Sequence, residues 1–229
     1  MHKNQPFVIL QVAYTVYALG AALAATMILF YVEHVLESNA GPIFLILYLG
    51  TGSIFLPVWV WLAKRWEKRN AWLLALAVNT VAFTGAAFLG PGDAAIFGVL
   101  VVLSAMGLGG CTAIPPSMQA DVIDYDELLG RTRREGTFIG VWALAKKLAM
   151  AAGAGLSLPI LDQAGYLVGG AAQPESAILA LKWLYVGGPI ICNLTAIAIG
   201  VGYSIDRVRH QTIRTEIKER VVSEALARD

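Results

Sequence analysis

A chain of 229 residues that is 57% hydrophobic and only 14% charged, with a mean hydropathy of +0.64, cannot dress a water-soluble fold of its size. Soluble domains carry about 25% charged residues. The net charge of +1 leaves no electrostatic footprint for nucleic acid or for an acidic partner. Cys111 and Cys192 lie in separate apolar runs, without metal-ligand spacing or a disulfide framework, and read as buried thiols acting as small hydrophobes.

In chain order, Met1-His2-Lys3-Asn4-Gln5-Pro6 imitates the start of a signal peptide, but the apolar run behind it continues to Val32, too long for an h-region. Six runs are long enough to span a bilayer: Pro6–Val32, Pro42–Leu62, Ala71–Leu89, Ala94–Pro116, Thr137–Leu161 and Ile178–Tyr203. A bilayer core of about 30 Å needs roughly 20 apolar residues per helix. Helices are the expected form, because isolated strands would leave backbone groups unpaired in lipid. The connections alternate in chemistry. Glu33–Gly41, Gly90–Asp93 and Asp162–Ala177 hold no Lys or Arg, whereas Lys64, Arg65, Lys68, Arg69, Arg131, Arg133 and Arg134 crowd the other side. The positive-inside rule places both termini in the cytoplasm. Lys182 is the exception, beside Trp183 and Tyr185, which suit an interface belt. Pro115 and Pro116 remove two successive helix donors, which makes the stretch from Gly107 a candidate for bending during gating. After Ser204, Ile213, Ile217, Val221 and Ala225 recur every four residues among charges, the pattern of an amphipathic tail helix over 204–229.

Chemistry concentrates in two places. Lys146 and Lys147 lie about 15 Å into the fifth run, at a depth where a lysine costs about 2.5–3.5 kcal/mol on insertion scales and marks function by default. No Asp or Glu falls inside any of the six runs. A midplane cation therefore faces a wet cavity, a substrate, or a residue on another segment. The second place is the segment Gln119–Gly136, which opens with Asp121, Asp124, Asp126 and Glu127 and closes with Arg131, Arg133 and Arg134. Acids at i, i+3 at a helix end suit ion pairs that form and break as a gate moves. Embedded metal-dependent transferases are poorly matched, because Tyr125 stands where a glycine is needed and Leu128 where a further aspartate is needed. His2, His34 and His210 are too scattered for a metal or proton relay, and no nucleophile–base pair assembles, so neither an enzyme nor a bound metal is expected.

Asp-Val-Ile-Asp-Tyr-Asp-Glu (121–127), followed by Gly130 and Arg133-Arg134-Glu135-Gly136, resembles the signature of the glycoside–pentoside–hexuronide:cation symporters. These form the melibiose-permease-like branch of the major facilitator superfamily, which also includes animal lysophospholipid carriers. Asn4-Gln5-Pro6-Phe7, Pro57–Asn70 and Lys147-Leu148 resemble, in order, other stretches of that family's second half. The resemblance implies an all-α membrane protein, a six-helix bundle equivalent to helices 7–12, occupying residues 1–203. It implies an amino-terminal six-helix bundle as partner, on the same or a separate polypeptide, with the solute between the bundles and Na⁺ or H⁺ as coupling ion. The main cation site would lie in that other half, and no further cofactor is implied.

By the same resemblance, Lys147 would face the central cavity and couple cation to solute. Asp121, Asp124, Tyr125, Arg133 and Arg134 would form the inner gate. Where sugar carriers of the family have a cavity-facing tryptophan, this chain has Thr112, and Lys146 adds a charge beside the family lysine. Trp142 is a candidate stacking face for the solute. The expected function is half of a secondary active transporter in the plasma or inner membrane, moving a sugar or related solute by alternating access. The alternatives are a carrier of an amphiphile such as a lysophospholipid, or a split or truncated half with a binding or scaffolding role.

Overall fold

A computed structural model describes residues 4–130, 134–169 and 172–226. Among them every regular element is helical: α1 (Gln5–His34), α2 (Gly41–Arg65), α3 (Lys68–Ala86), α4 (Ala94–Gly130), α5 (Glu135–Gln163), α6 (Glu175–Lys182), a π-helical turn over Trp183–Gly187, α7 (Gly188–Gly200) and α8 (Arg207–Leu226). α6, the π turn and α7 follow one another without a break and together form the sixth member of the bundle. The π turn lies just ahead of Pro189, whose missing N–H prevents regular pairing there.

α1 packs between α5 and α7, and α4 packs between α2 and α3; contacts of α3 with α7 and of α1 with α4 join the two triplets. Small residues set the close approaches. Gly20 of α1 abuts Pro189 and Cys192, Gly153 of α5 abuts Ala22, and Gly110 of α4 is wedged between Ala75 and Trp59. An added Cβ would overlap a neighbour at each of these positions. The core divides into two apolar clusters, one around Trp72, Met118 and Phe138 and the other around Met27, Tyr31 and Phe97. Between them a polar seam ties α3, α4 and α7 together: Asn79 Nδ2 donates to Ser104 Oγ at 2.8 Å, and Asn193 Nδ2 donates to Asn79 Oδ1 at 2.9 Å. Each buried amide thus finds a partner away from water.

Among the described residues, five helices are long and apolar enough to cross a membrane: α1, α2, α4, α5 and the continuous Glu175–Gly200 unit. α3, also read as a span from sequence, is not among them. It runs antiparallel to α4, from Lys68 beside Asp121 to Gly85 beside Leu100, and completes the six-helix bundle. Lys68, Arg69 and Asn70 at its start lower its hydropathy most, and Asn79 and Thr80 further along it are buried against neighbouring helices.

α4 differs from its expected end. It continues through Pro115 and Pro116 to Gly130, so the 121–127 signature is a helical extension of the span. Tertiary bonds hold the extension: Asn4 Nδ2 donates to the Val122 carbonyl at 3.1 Å, and Tyr203 Oη donates to the Met118 carbonyl at 3.3 Å. α8 lies under this end with Ile213 buried and Ile217 against the core. At the opposite end, Tyr31 Oη donates to Ala86 O at 2.7 Å, and the N–H of Gly92, whose φ of 87° suits a residue without Cβ, donates to Leu36 O at 3.2 Å.

Candidate functional site

α5 touches the rest of the bundle through one stripe, Phe138, Trp142, Ala149, Gly153, Ser157 and Leu161. At 100° per residue, Lys147 is rotated about 140° from Trp142 and so points away from that stripe, while Lys146 flanks it at about 40°. Both lysines and Thr112 of α4 are exposed. Among the described residues, neither ammonium has an ion-pair partner. Gly136 and Gly140 share the open side of α5 with Lys147, and a Cβ at either would meet nothing within 4 Å. α2 is built the same way, with only Gly41, Phe44, Gly52 and Trp59 buried. Two helices of the bundle therefore present most of their circumference outward.

Trp142 does not share that open side. It is buried and stacked on Tyr14 of α1, with ring centroids 4.3 Å apart and planes at 21°. The expected stacking face is used for helix packing.

The signature on α4 forms a charge cluster at the basic end. Lys68 Nζ reaches Asp121 Oδ2 at 2.7 Å and Oδ1 at 2.8 Å, and also donates to the Ser117 carbonyl at 3.3 Å. His210 of α8 sits 3.0 Å from Asp124 Oδ2 and 3.3 Å from Asp121 Oδ1. Burial pushes the Asp121 carboxyl above its usual range, against the opposing pull of Lys68 and His210. Arg134 pairs with Asp126 through both carboxylate oxygens, at 2.8 to 3.0 Å. This two-pronged geometry is the strong form of the arginine–carboxylate bond. Tyr125 carries the Arg209 guanidinium 5.4 Å from its ring centre. Arg133 lies outside the described residues.

Asp121, Asp124, Tyr125 and Arg134 are thus brought to one end of the bundle, the first of them nine residues along α4 from Thr112 and the last twelve residues before Lys146. Sequence reading missed Lys68 and His210 as their partners. The basic 64–69 cluster signalled a side of the membrane but not a register against α4, and the distance from His210 to Asp124 is 86 residues in sequence.

The sequence profile described as MFS/sugar transport protein matches residues 1–207. The chain is 29% identical over 226 residues to an uncharacterized symporter of Synechocystis sp., covering 95% of this chain and 41% of the relative. It is 25% identical over 234 residues to the isoprimeverose transporter of Lactiplantibacillus pentosus, covering 100% of this chain and 48% of that protein. It is 27% identical over 164 residues to the sodium-dependent lysophosphatidylcholine symporter 1 of Homo sapiens, covering 70% of this chain and 30% of that one. The chain spans less than half the length of these curated relatives.

Proposed function

Because the chain belongs to the MFS/sugar transport protein family, an integral membrane class, we propose that it is the carboxy-terminal half of a cation-coupled sugar symporter. One observation carries this reading. α2 and α5 each pack by a single stripe and turn their remaining faces outward, and Lys147, at mid-helix on α5, is directed away from the packed side with no carboxylate partner among the described residues. A second six-helix bundle against those faces encloses Lys147 in a central cavity and supplies the missing anionic groups, either its own or the bound solute's.

The basic end of the bundle is the cytoplasmic end, since Lys182 is the one Lys or Arg near the other end, where its Nζ donates to the Leu89 carbonyl at 3.3 Å. Asp121, Asp124, Tyr125 and Arg134 then lie at the inner mouth, where opening and closing of the partner bundle exchanges ion pairs. The isoprimeverose transporter among the relatives favours a sugar over an amphiphile, because the alignment to it covers the whole chain.

The test is uptake of labelled sugar by proteoliposomes holding the full-length transporter that contains this chain, under imposed Na⁺ or H⁺ gradients. Lys147→Ala abolishes gradient-driven accumulation, and Lys147→Arg retains part of it. Uptake by Lys147→Ala with unchanged cation dependence overturns the role given to that lysine. Competition by lysophosphatidylcholine but not by sugars replaces the substrate class.

A further inference from the structure

Towards the basic end, a cleft of about 360 Å³ opens between the end of α2, the start of α3, the middle of α4 and the first turns of α8. It shares Asp121, Lys68 and His210 with the charge cluster described above, whereas Lys64, Arg207, Arg214 and its apolar wall lie outside that cluster. Its inner wall is apolar, with Val60 and Ala63 from α2 and Ala113 and Ile114 from α4. Its rim is cationic, with Lys64, Lys68, Arg207 and Arg214 against Glu67, Asp121 and Asp206. Asp121 is paired with Lys68 and His210, whereas Glu67 and Asp206 accept from the backbone N–H groups of Arg207 and Arg209, at 3.1 and 2.7 Å, and keep their charge. Four Lys and Arg against three carboxylates leave the rim a surplus of one positive charge. The Arg207 guanidinium sits on the backbone carbonyls of Lys64 and Trp66, which leaves its charge uncancelled. Lys64 and Arg214 have no ion-pair partner among the described residues.

We propose that this cleft is a binding site for an anionic phospholipid, with the headgroup phosphate on Lys64, Arg207 and Arg214 and the acyl chain along Val60, Ala63 and Ala113. The position fits. The rim begins where the apolar span of α2 ends, and exposed Trp66 stands at the mouth, at the level where indoles favour the membrane border. The charge fits as well, because a phosphate diester that brings no cation of its own answers the surplus, and guanidinium forks bind such oxygens in pairs. A free inorganic phosphate shares the headgroup chemistry but leaves the apolar wall unfilled, which is why a lipid is the better occupant. The site is independent of which solute the transporter carries.

The experiment titrates the purified chain, in a neutral detergent, with fluorescent phosphatidylglycerol and with the matching phosphatidylcholine. Phosphatidylglycerol is expected to bind about tenfold more tightly. Lys64→Gln combined with Arg214→Gln, both at exposed positions, removes that preference and leaves phosphatidylcholine binding unchanged. The matched control, Arg65→Gln with Lys218→Gln, removes the same charge from α2 and α8 outside the cleft and keeps the preference. Equal affinity for the two lipids, an equal loss in the control pair, or displacement of the lipid by inorganic phosphate as readily as by unlabelled phosphatidylglycerol each overturns the proposal.

Discussion

Asp121 is a carboxylate whose burial outweighs its partners. Lys68 and His210 both favour its charged form, yet desolvation holds the carboxyl above its usual range. Removing one member of such a pair costs more than removing both, because the survivor is left buried and uncompensated. Lys68→Met is therefore expected to destabilise the chain more than Asp121→Asn does, and the double substitution to recover much of the loss. Thermal unfolding in detergent at neutral pH checks this ranking. The pH dependence has a definite sign. The folded chain holds this proton to higher pH than the unfolded chain. The group's contribution to stability is thus complete below the ordinary carboxylate range and is lost as pH rises through its elevated folded value. Asp121→Asn removes this component, so the variant's midpoint falls less than the parent's over that rise in pH. Trp142 makes a different point at the same scale. Chain position placed it near Lys147, but its ring is committed to Tyr14. Trp142→Ala is expected to loosen α5 from α1 at a cost of about 3–5 kcal/mol, read as a lower unfolding midpoint in the absence of any solute.

Between helices, the glycines sort by what faces them. A Cβ on Gly110 would lie 2.5 Å from Ala75 Cβ and 2.7 Å from Trp59 Cδ2, so α2 and α3 would both have to move. Gly110→Ala is expected to cost about 1–3 kcal/mol through overpacking. Gly140→Ala meets open space and is expected to be neutral or slightly stabilising, since alanine favours helix over glycine by about 1 kcal/mol. Unfolding midpoints of the two variants measured side by side decide the matter. In the full-length transporter proposed above, Gly140→Leu adds the contrast that tests the proposed partner face: an intact fold with impaired uptake. The tail helix follows the same logic of contact. Ile213 and Ile217 turn inward as their four-residue spacing predicts, and His210 one turn earlier lands on Asp121 and Asp124.

Over the whole molecule, orientation is open to direct chemical test. The native thiols Cys111 and Cys192 are both buried, so a cysteine introduced at the surface reports against a low background. Asn39→Cys, at the end lacking basic loops, is expected to react with an impermeant maleimide added to intact cells. Glu216→Cys on α8 is expected to react only after permeabilisation. The reverse pattern inverts the proposed topology. The composition, the run lengths and the alternation of basic loops determined from sequence alone that this is a helical bundle in a membrane, because lipid tolerates only internally bonded backbone and sorts charge by side. The acids of the 121–127 signature and Lys147 also stood out in the sequence as candidates, since charges within an apolar chain are costly. Three features came only with tertiary structure: α4 running on through Pro115 and Pro116, the pairing of Asp121 with Lys68 and His210, and the diversion of Trp142 into packing. Periodicity reports which residues share a face of one helix. Which partner that face meets, and at what register, is decided by close packing between helices distant in the chain.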